Sequence, residues 1–128
     1  MSIFRMNIQE PWLYHIQQGT KKIEGRRGNE KKYEHLLGQI VCFYNDERTV
    51  FVKVIELHHY KNLYDYFDAE IYSIALPGID SYEKAVDTYY SFYVKDKSIV
   101  GAEKIKLAEE SIKEEGGIVA IIFELIKN

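Results

Sequence analysis

The stretch IVCFYNDERTVFVKVIELHHY, residues 40–60, carries the clearest strand signal in the sequence. Two apolar runs, residues 40–45 and 50–60, flank the polar residues 46–48, and valine stands at every second position as the second run begins. Alternation at a period of two is typical of a strand with one buried face, and a short polar link between two such runs is typical of a β-hairpin. We therefore expect a hairpin here that supplies much of the core.

Three further segments are expected to extend this hairpin into a sheet. GGIVAIIFELI, residues 116–126, is a β-branched apolar run that follows two glycines, and this pattern fits a strand buried on both faces. The alternation in IFRMNI, residues 3–8, predicts a short strand, and TKKIEGRR, residues 20–27, predicts an extended segment.

The segments between these strands are helical in composition. Pro11 suits the first turn of a helix, and Gly19 is a natural end for it. Further helices are predicted over residues 61–76 and 81–93, with a helical turn before Gly38 and either a helix or an exposed excursion over residues 102–114. Short strands with helices inserted between them predict an α+β protein built on a small curled sheet or barrel.

The charge distribution limits the possible partners. The chain of 128 residues, expected to form one domain, has a net charge of −3, which argues against electrostatic wrapping of a nucleic-acid duplex. Residues 20–32, however, hold six basic side chains against two acidic ones. A small basic focus on an acidic body suits a compact anionic ligand.

Several classes of protein and site are not expected. The single cysteine, Cys42, excludes an internal disulfide, and neither a membrane-spanning run nor a secretory signal is evident, so we expect a cytoplasmic location, with the nucleus as an alternative. His58 and His59 are adjacent on a predicted strand and point to opposite faces, so we expect no metal site. The sequence also has no phosphate-binding glycine loop or dinucleotide fingerprint, and no cofactor is expected.

The basic segment QQGTKKIEGRRGNEKKY, residues 17–33, is either a solvated hairpin tip or the lining of a site. Ile23 suggests that it belongs to the sheet, and Glu24 between cations suits a hydrogen-bond network. Alternation places Lys21 and Glu24 on opposite faces, although a bulge or twist at Gly25 would bring both toward one cavity. Residues 27–32 are expected to form a solvated loop.

Tyrosine is the other unusual feature of the composition. Eight of the eleven tyrosines fall within residues 60–93. Their rings either pack helices onto the sheet, with hydroxyl groups at the surface, or offer a face on which a base stacks. On the helix predicted over residues 81–93, Glu83 and Asp87 share a face. That face is either solvated, or one of its carboxylates reaches the basic segment.

PWLYHIQQGTKKIEGR, residues 11–26, resembles the signature of the ASCH domain family (activating signal cointegrator homology), a relative of the PUA fold. That signature runs as a helix followed by G-x-K-x-x-E-x-R, here Gly19, Lys21, Glu24 and Arg26. Later segments resemble the family as well, with Gln39 in place of its usual Asp, so the resemblance covers nearly the whole chain. It implies one ASCH-like domain over residues 1–128, a small β-barrel of about five to six strands with helices packed around it.

The resemblance also implies a function, because ASCH domains are mostly regarded as RNA-binding by analogy with PUA. We expect the cleft to bind short single-stranded RNA or a modified nucleotide. Lys21 and Arg26 would contact phosphate or carbonyl groups, Glu24 would accept hydrogen bonds from a base or hold Arg26, and a tyrosine would stack. The expected lining residues are Trp12, Lys21, Glu24 and Arg26, with Tyr89 and Tyr93 on the opposite wall.

Two alternatives remain open. Some small bacterial relatives deacylate acetylated cytidine with a Lys, a Thr and a Glu, and others are proposed to cleave RNA. A hydrolase of either kind would be centred on Lys21, with Glu24 at the Thr position and Glu83 as the best match for the distal Glu. The other alternative is a protein-interaction adaptor whose contact surface is the charged segment 102–115.

Overall fold

A computed structural model describes residues 3–126 as one curled five-stranded sheet with helices packed around it. The strand order is β1-β3-β4-β5-β2, and of the four strand pairs only β1 with β3 is parallel. The strands β1 and β2 are the two edges and do not pair with each other, so the curled sheet stays open as a half-barrel. The α+β prediction is confirmed. The elements in chain order are β1 (Phe4–Asn7), α1 (Trp12–Gln18), β2 (Ile23–Arg27), α2 (Glu30–Tyr33), a 3-10 turn (Glu34–Leu36), β3 (Ile40–Tyr44), β4 (Thr49–Tyr60), α3 (Leu63–Glu70), α4 (Tyr72–Ala75), α5 (Tyr82–Tyr93), α6 (Gly101–Glu115) and β5 (Ile118–Leu125).

The predicted hairpin is the centre of this sheet. The strands β3 and β4 pair from Ile40 opposite Lys53 to Tyr44 opposite Thr49. The side-chain oxygen of Asn45 accepts the backbone N–H groups of residues 47 and 48, at 2.8 and 3.0 Å, and so closes the turn. The longer strand β4 also pairs with β5 along most of its length, with a register shift just after Val54. Bulges of this kind bend a strand and increase its twist, which helps the sheet to curl.

The strand β5 is buried on both faces, as predicted, and separates two apolar clusters. Ile118 and Ala120 face a cluster formed with α3, α4, α5 and α6. The alternate residues Val119 and Ile121 face a cluster formed with α1 and the inner surface of the sheet. The ring of Trp12 packs against both clusters and therefore lies where they meet.

Three predictions about the connections need correction or refinement. The helix expected over residues 61–76 is two helices, α3 and α4, interrupted at Ile71 by a positive φ of 62°. The charged segment 102–114 forms the helix α6, which buries Ala108 and Ile112 and ends at a left-handed glycine. The segment 27–32, expected to be a solvated loop, is exposed over residues 29–32 but is not a loop throughout: Arg27 ends β2, and the Asn29 side chain accepts the Lys32 N–H at 3.1 Å and starts the short helix α2.

The tyrosine-rich segment contributes to the interior more than expected. Tyr66, Tyr89 and Tyr90 are at most 2% exposed. The hydroxyl groups of Tyr66 and Tyr89 lie 2.9 Å apart and form a hydrogen bond, so these two polar ends are buried together instead of reaching the surface. Within residues 3–126, no three or more His, Cys, Asp or Glu side chains are grouped closely enough to hold a metal ion, and no helix has the length and apolarity needed to cross a bilayer.

The absence of a side chain at Gly25 lets strand β2 approach Tyr66 closely. A Cβ atom on Gly25 would lie 2.7 Å from both Cζ and Oη of Tyr66, and that ring is fully buried and cannot move aside cheaply. We expect Gly25→Ala to lower the free energy of unfolding by about 1–3 kcal/mol, measured as a shift of the urea midpoint.

The control for this prediction is the same substitution in a background where a smaller side chain without a ring replaces Tyr66. In Tyr66→Leu, Gly25→Ala should cost much less, which a double-mutant cycle measures as a coupling energy. An equal cost in both backgrounds would contradict the proposed clash and would point to the backbone of β2 instead.

Candidate functional site

A cavity of about 610 Å³ opens beside strand β2, between the start of α1 and the last turns of α5. Volumes of a few hundred to about 1,000 Å³ are typical of sites for small molecules and single nucleotides. Six residues expected at the site line it: Trp12, Lys21, Glu24, Arg26, Tyr89 and Tyr93.

Lys21 is buried at the base of this cavity, with 1% of its surface exposed. Gly19 turns the chain at the end of α1 with a φ of 81°, and the N–H groups of Thr20 and Lys21 both donate to the His15 carbonyl, at 3.0 and 3.1 Å. The extended segment after this turn carries the lysine inward. The position of Lys21 is therefore set by the C-terminus of α1.

Three acceptors surround the Lys21 ammonium group. Nζ donates to the backbone carbonyls of Ile23, at 2.5 Å, and of Ala75 in α4, and it lies 3.4 Å from Oε1 of Glu24. An ammonium group has three N–H donors and no acceptor, so this surrounding fits the charged form. Burial lowers the pKa of Lys21, and the nearby Glu24 carboxylate opposes that shift.

Glu24 connects Lys21 to Arg26. Its second carboxylate oxygen, Oε2, accepts a hydrogen bond from Nε of Arg26 at 2.9 Å. Burial works against the charge on Arg26, but the Glu24 carboxylate outweighs it and raises the pKa of the guanidinium group. Lys21, Glu24 and Arg26, which we call the floor of the cavity, thus form one chain of charges with a net charge of +1.

Arg26 also joins the two edges of the half-barrel. Its Nη2 atom donates to the carbonyl of Asn7 at 2.5 Å, so a side chain on β2 holds the last residue of β1. These strands lie at opposite ends of the sheet order and are not neighbours in it. The cavity therefore lies at the gap where the curled sheet fails to close.

The tyrosines on the facing wall differ in what they can offer a ligand. Tyr89 is 1% exposed, so it has no free ring face, and the stacking role expected for it does not fit its position. One face of the Tyr93 ring is covered by the guanidinium group of Arg27, whose Cζ lies 4.6 Å from the ring centroid. The Tyr93 hydroxyl group is buried, and no hydrogen-bond partner for it is found among residues 3–126.

Sequence reasoning missed several lining residues. Phe92 lines the cavity and is 37% exposed, which makes it a freer aromatic surface than Tyr89. The sequence does indicate that Phe92 lies near the two tyrosines. Phe92 follows Tyr89 by three residues and precedes Tyr93 by one, and positions 89, 92 and 93 share one helix face. The other polar or charged lining residues that sequence reasoning did not assign to the site are Asn7, Gln9, Arg27, Lys32, Tyr33, Lys95 and Glu115.

Glu83 is not among the residues that line the cavity, and its side chain is exposed. It lies in the first turn of α5, whereas the cavity is lined by residues at the other end of that helix. Tyr89 lies six positions after Glu83 along the helix, a rise of about 9 Å. The structure therefore does not bring Glu83 to the cavity that holds Lys21.

Comparison with known proteins agrees with this architecture. The ASCH domain model matches residues 6–126, nearly all of the described chain. The chain belongs to the ASCH domain family.

Two solved structures share the ASCH fold of this chain. The crystal structure of hypothetical protein PH0355 is 30% identical, with a TM-score of 0.74 over 98% of this chain and 100% of that one. The solution NMR structure of protein PF0455 from Pyrococcus furiosus is 28% identical, with a TM-score of 0.68 over 99% of this chain and 100% of that one. No curated protein matches.

In this ASCH domain, Lys21 is expected to contribute to stability through its three acceptors. Lys21→Met keeps an unbranched side chain only one atom shorter, but it leaves two buried carbonyls without a donor and Glu24 paired with Arg26 alone. We expect the free energy of unfolding to fall by about 2–4 kcal/mol, measured by urea denaturation. Lys22→Met, at the exposed neighbouring lysine, is the matched control and should change stability by about 0.5 kcal/mol or less.

The opposite result is also informative. If Lys21→Met were as stable as the wild type, apolar packing would replace the charge network without cost, and Lys21 would have no structural role.

Proposed function

We propose that this ASCH domain binds a nucleotide of short single-stranded RNA, or a modified nucleotide, by holding its base against Arg26 and Glu24. The observation that carries the proposal is the presence of a donor group and an acceptor group side by side on the cavity floor. Base edges carry the complementary pattern of adjacent acceptors and donors, which is how proteins read unpaired bases.

Both floor groups have hydrogen-bonding capacity left for a ligand. Arg26 has five N–H donors, and its bonds to Glu24 and Asn7 engage two of them. Each carboxylate oxygen of Glu24 contacts one cation, at 3.4 and 2.9 Å, and has a further lone pair. Lys21, by contrast, has an acceptor for each of its three donors. Base recognition is therefore assigned to Arg26 and Glu24, with Lys21 holding Glu24 in position.

The cavity walls suit a flat aromatic ligand. Trp12 is half-buried and Phe92 is partly exposed, and both line the cavity. Stacking of a base on an aromatic ring contributes about 1–3 kcal/mol and is tolerant of base identity. We assign stacking to these two rings instead of Tyr89.

Charge supports a short contact. The cavity is lined by five basic and two acidic side chains, a net charge of +3, whereas the whole chain has a net charge of −3. The positive charge of the cavity on a negatively charged chain therefore favours a short anionic segment over a long polyanion.

The test is a titration of the full chain with a fluorescently labelled single-stranded RNA of five nucleotides, followed by anisotropy at low salt. Arg26→Lys keeps the charge but loses the planar fork of donors, so we expect binding to weaken about tenfold or more. The matched control is Lys22→Ala, which removes an exposed charge outside the cavity and should change affinity less than twofold. Absence of binding by the wild type, or equal affinity of Arg26→Lys, would contradict the proposal.

A second candidate function, hydrolysis of an amide on a modified base such as acetylated cytidine, rests on the contact between Lys21 and Glu24. The 3.4 Å separation and the lowered pKa of Lys21 are features of a proton-transfer pair. Water would add to the acyl carbon while its proton passes to this pair, and the amide C–N bond would break as a proton returns to the leaving nitrogen.

Release of cytidine from acetylated cytidine, followed by chromatography, tests this second candidate. Turnover should be lost in Lys21→Met under conditions where circular dichroism shows the variant folded, and it should persist in Glu83→Gln because Glu83 lies outside the cavity. No turnover by the wild type would leave nucleotide binding as the function of the site.

A further inference from the structure

The opening of the cavity has a chemistry that differs from its floor. Three cationic side chains line the cavity outside its floor: Arg27, Lys32 and Lys95, which we call the basic rim. One carboxylate, Glu115, also lines the cavity outside the floor. The floor holds Glu24 between two cations and has a net charge of +1, whereas the rim has a net charge of +2 after Glu115 is counted. The larger net positive charge therefore belongs to the rim.

The floor is poorly suited to a phosphate group. Any anion there would lie beside the Glu24 carboxylate, which is only 13% exposed and so weakly screened by water. The Lys21 ammonium group is surrounded by its own acceptors and has no donor to give. A phosphate on the same ligand would therefore be directed away from the floor.

Arg27 is held in a fixed orientation at the rim. Its guanidinium group lies over the Tyr93 ring, with Cζ 4.6 Å from the centroid, and Nη1 donates to Oγ of Ser111 in α6. A guanidinium group oriented by stacking loses little freedom when it binds an anion, and its remaining N–H donors match phosphate geometry.

The two rim lysines are free to respond to an anion. Lys32 lies 3.5 Å from Glu115, but the two side chains are 51% and 46% exposed, and exposed pairs of this kind contribute little and exchange easily. Lys95 is exposed. Both can turn toward a phosphate at the opening.

We propose that the basic rim is a phosphate subsite, so that the cavity selects phosphorylated ligands over free nucleosides. This inference rests on the proposed function, because it assumes that a base occupies the floor. The phosphate belongs either to a free nucleoside monophosphate or to the backbone of a short RNA, and in both cases Arg27, Lys32 and Lys95 neutralise its charge.

The experiment is competition against the labelled five-nucleotide RNA by nucleosides, by their 5′- and 3′-monophosphates and by unlabelled RNA. We expect phosphorylated competitors to be at least tenfold more effective than nucleosides. Lys95→Ala and Lys32→Ala should each reduce this preference several-fold and leave competition by nucleosides within twofold of the wild type. Lys31→Ala, at an exposed lysine of the same helix as Lys32 that does not line the cavity, is the matched control.

Salt dependence gives a second readout. If Lys95 contacts a backbone phosphate, Lys95→Ala should reduce the slope of log affinity against log salt by about 0.7, the value for one contact to single-stranded nucleic acid. Monophosphates that compete as well as RNA would identify a free nucleotide, whereas competition by RNA alone with a reduced slope would identify a backbone phosphate.

The outcomes separate this inference from the proposed function. If the wild type bound neither RNA nor any nucleotide, the proposed function would fail. If nucleosides competed as well as both monophosphates and RNA, or if Lys95→Ala and Lys32→Ala changed neither affinity nor salt slope, binding at the floor would stand and the phosphate subsite would be overturned.

Discussion

The ammonium group of Lys21 is the constraint around which the cavity is organised. A buried charge without partners costs several kcal/mol, so each of its three N–H groups requires an acceptor. The acceptors come from the carbonyls of Ile23 in β2 and Ala75 in α4 and from the Glu24 carboxylate. One side chain thereby ties helix α4 to strand β2 and fixes the orientation of the neighbouring carboxylate.

The orientation of Arg26 follows from that carboxylate. Glu24 contacts Lys21 through one oxygen and Arg26 through the other, so the guanidinium group is turned toward the Asn7 carbonyl at the end of β1. A half-barrel has two unpaired edges, and here an arginine side chain spans them where no strand does. The residues that line the floor of the cavity are therefore also the residues that hold its walls together, and a substitution at the floor affects both binding and stability.

Local signals predicted the sheet and the floor well, and non-local packing explains what they missed. Period-two alternation in residues 40–60 and the apolar run of β5 are properties of the strands themselves. The motif placed Lys21, Glu24 and Arg26 together, and the structure brings all three to the cavity. By contrast, the end of α5 that faces the cavity is decided by how that helix packs on its neighbours, so local signals alone do not show that Phe92 lines the cavity and Glu83 does not. The interruption at Ile71 was equally invisible, because only tertiary contacts stabilise a positive φ at a β-branched residue.

Under the proposed function, the separation between floor and rim accounts for selectivity toward an anion in a chain with a negative net charge. The floor has one net positive charge and a donor beside an acceptor, so it suits a neutral base edge. The rim combines Arg27, whose orientation is fixed, with the exposed Lys32 and Lys95, whose flexible side chains can adjust to the position of a phosphate at small cost. Outside the cavity the remaining charges sum to an excess of acidic groups, since the cavity lining is positive and the whole chain is negative. A long polyanion would have to lie along that acidic surface, whereas a ligand of one or a few nucleotides fits within the positive region. Under the proposed function, this charge distribution therefore favours a short anionic ligand over a long one.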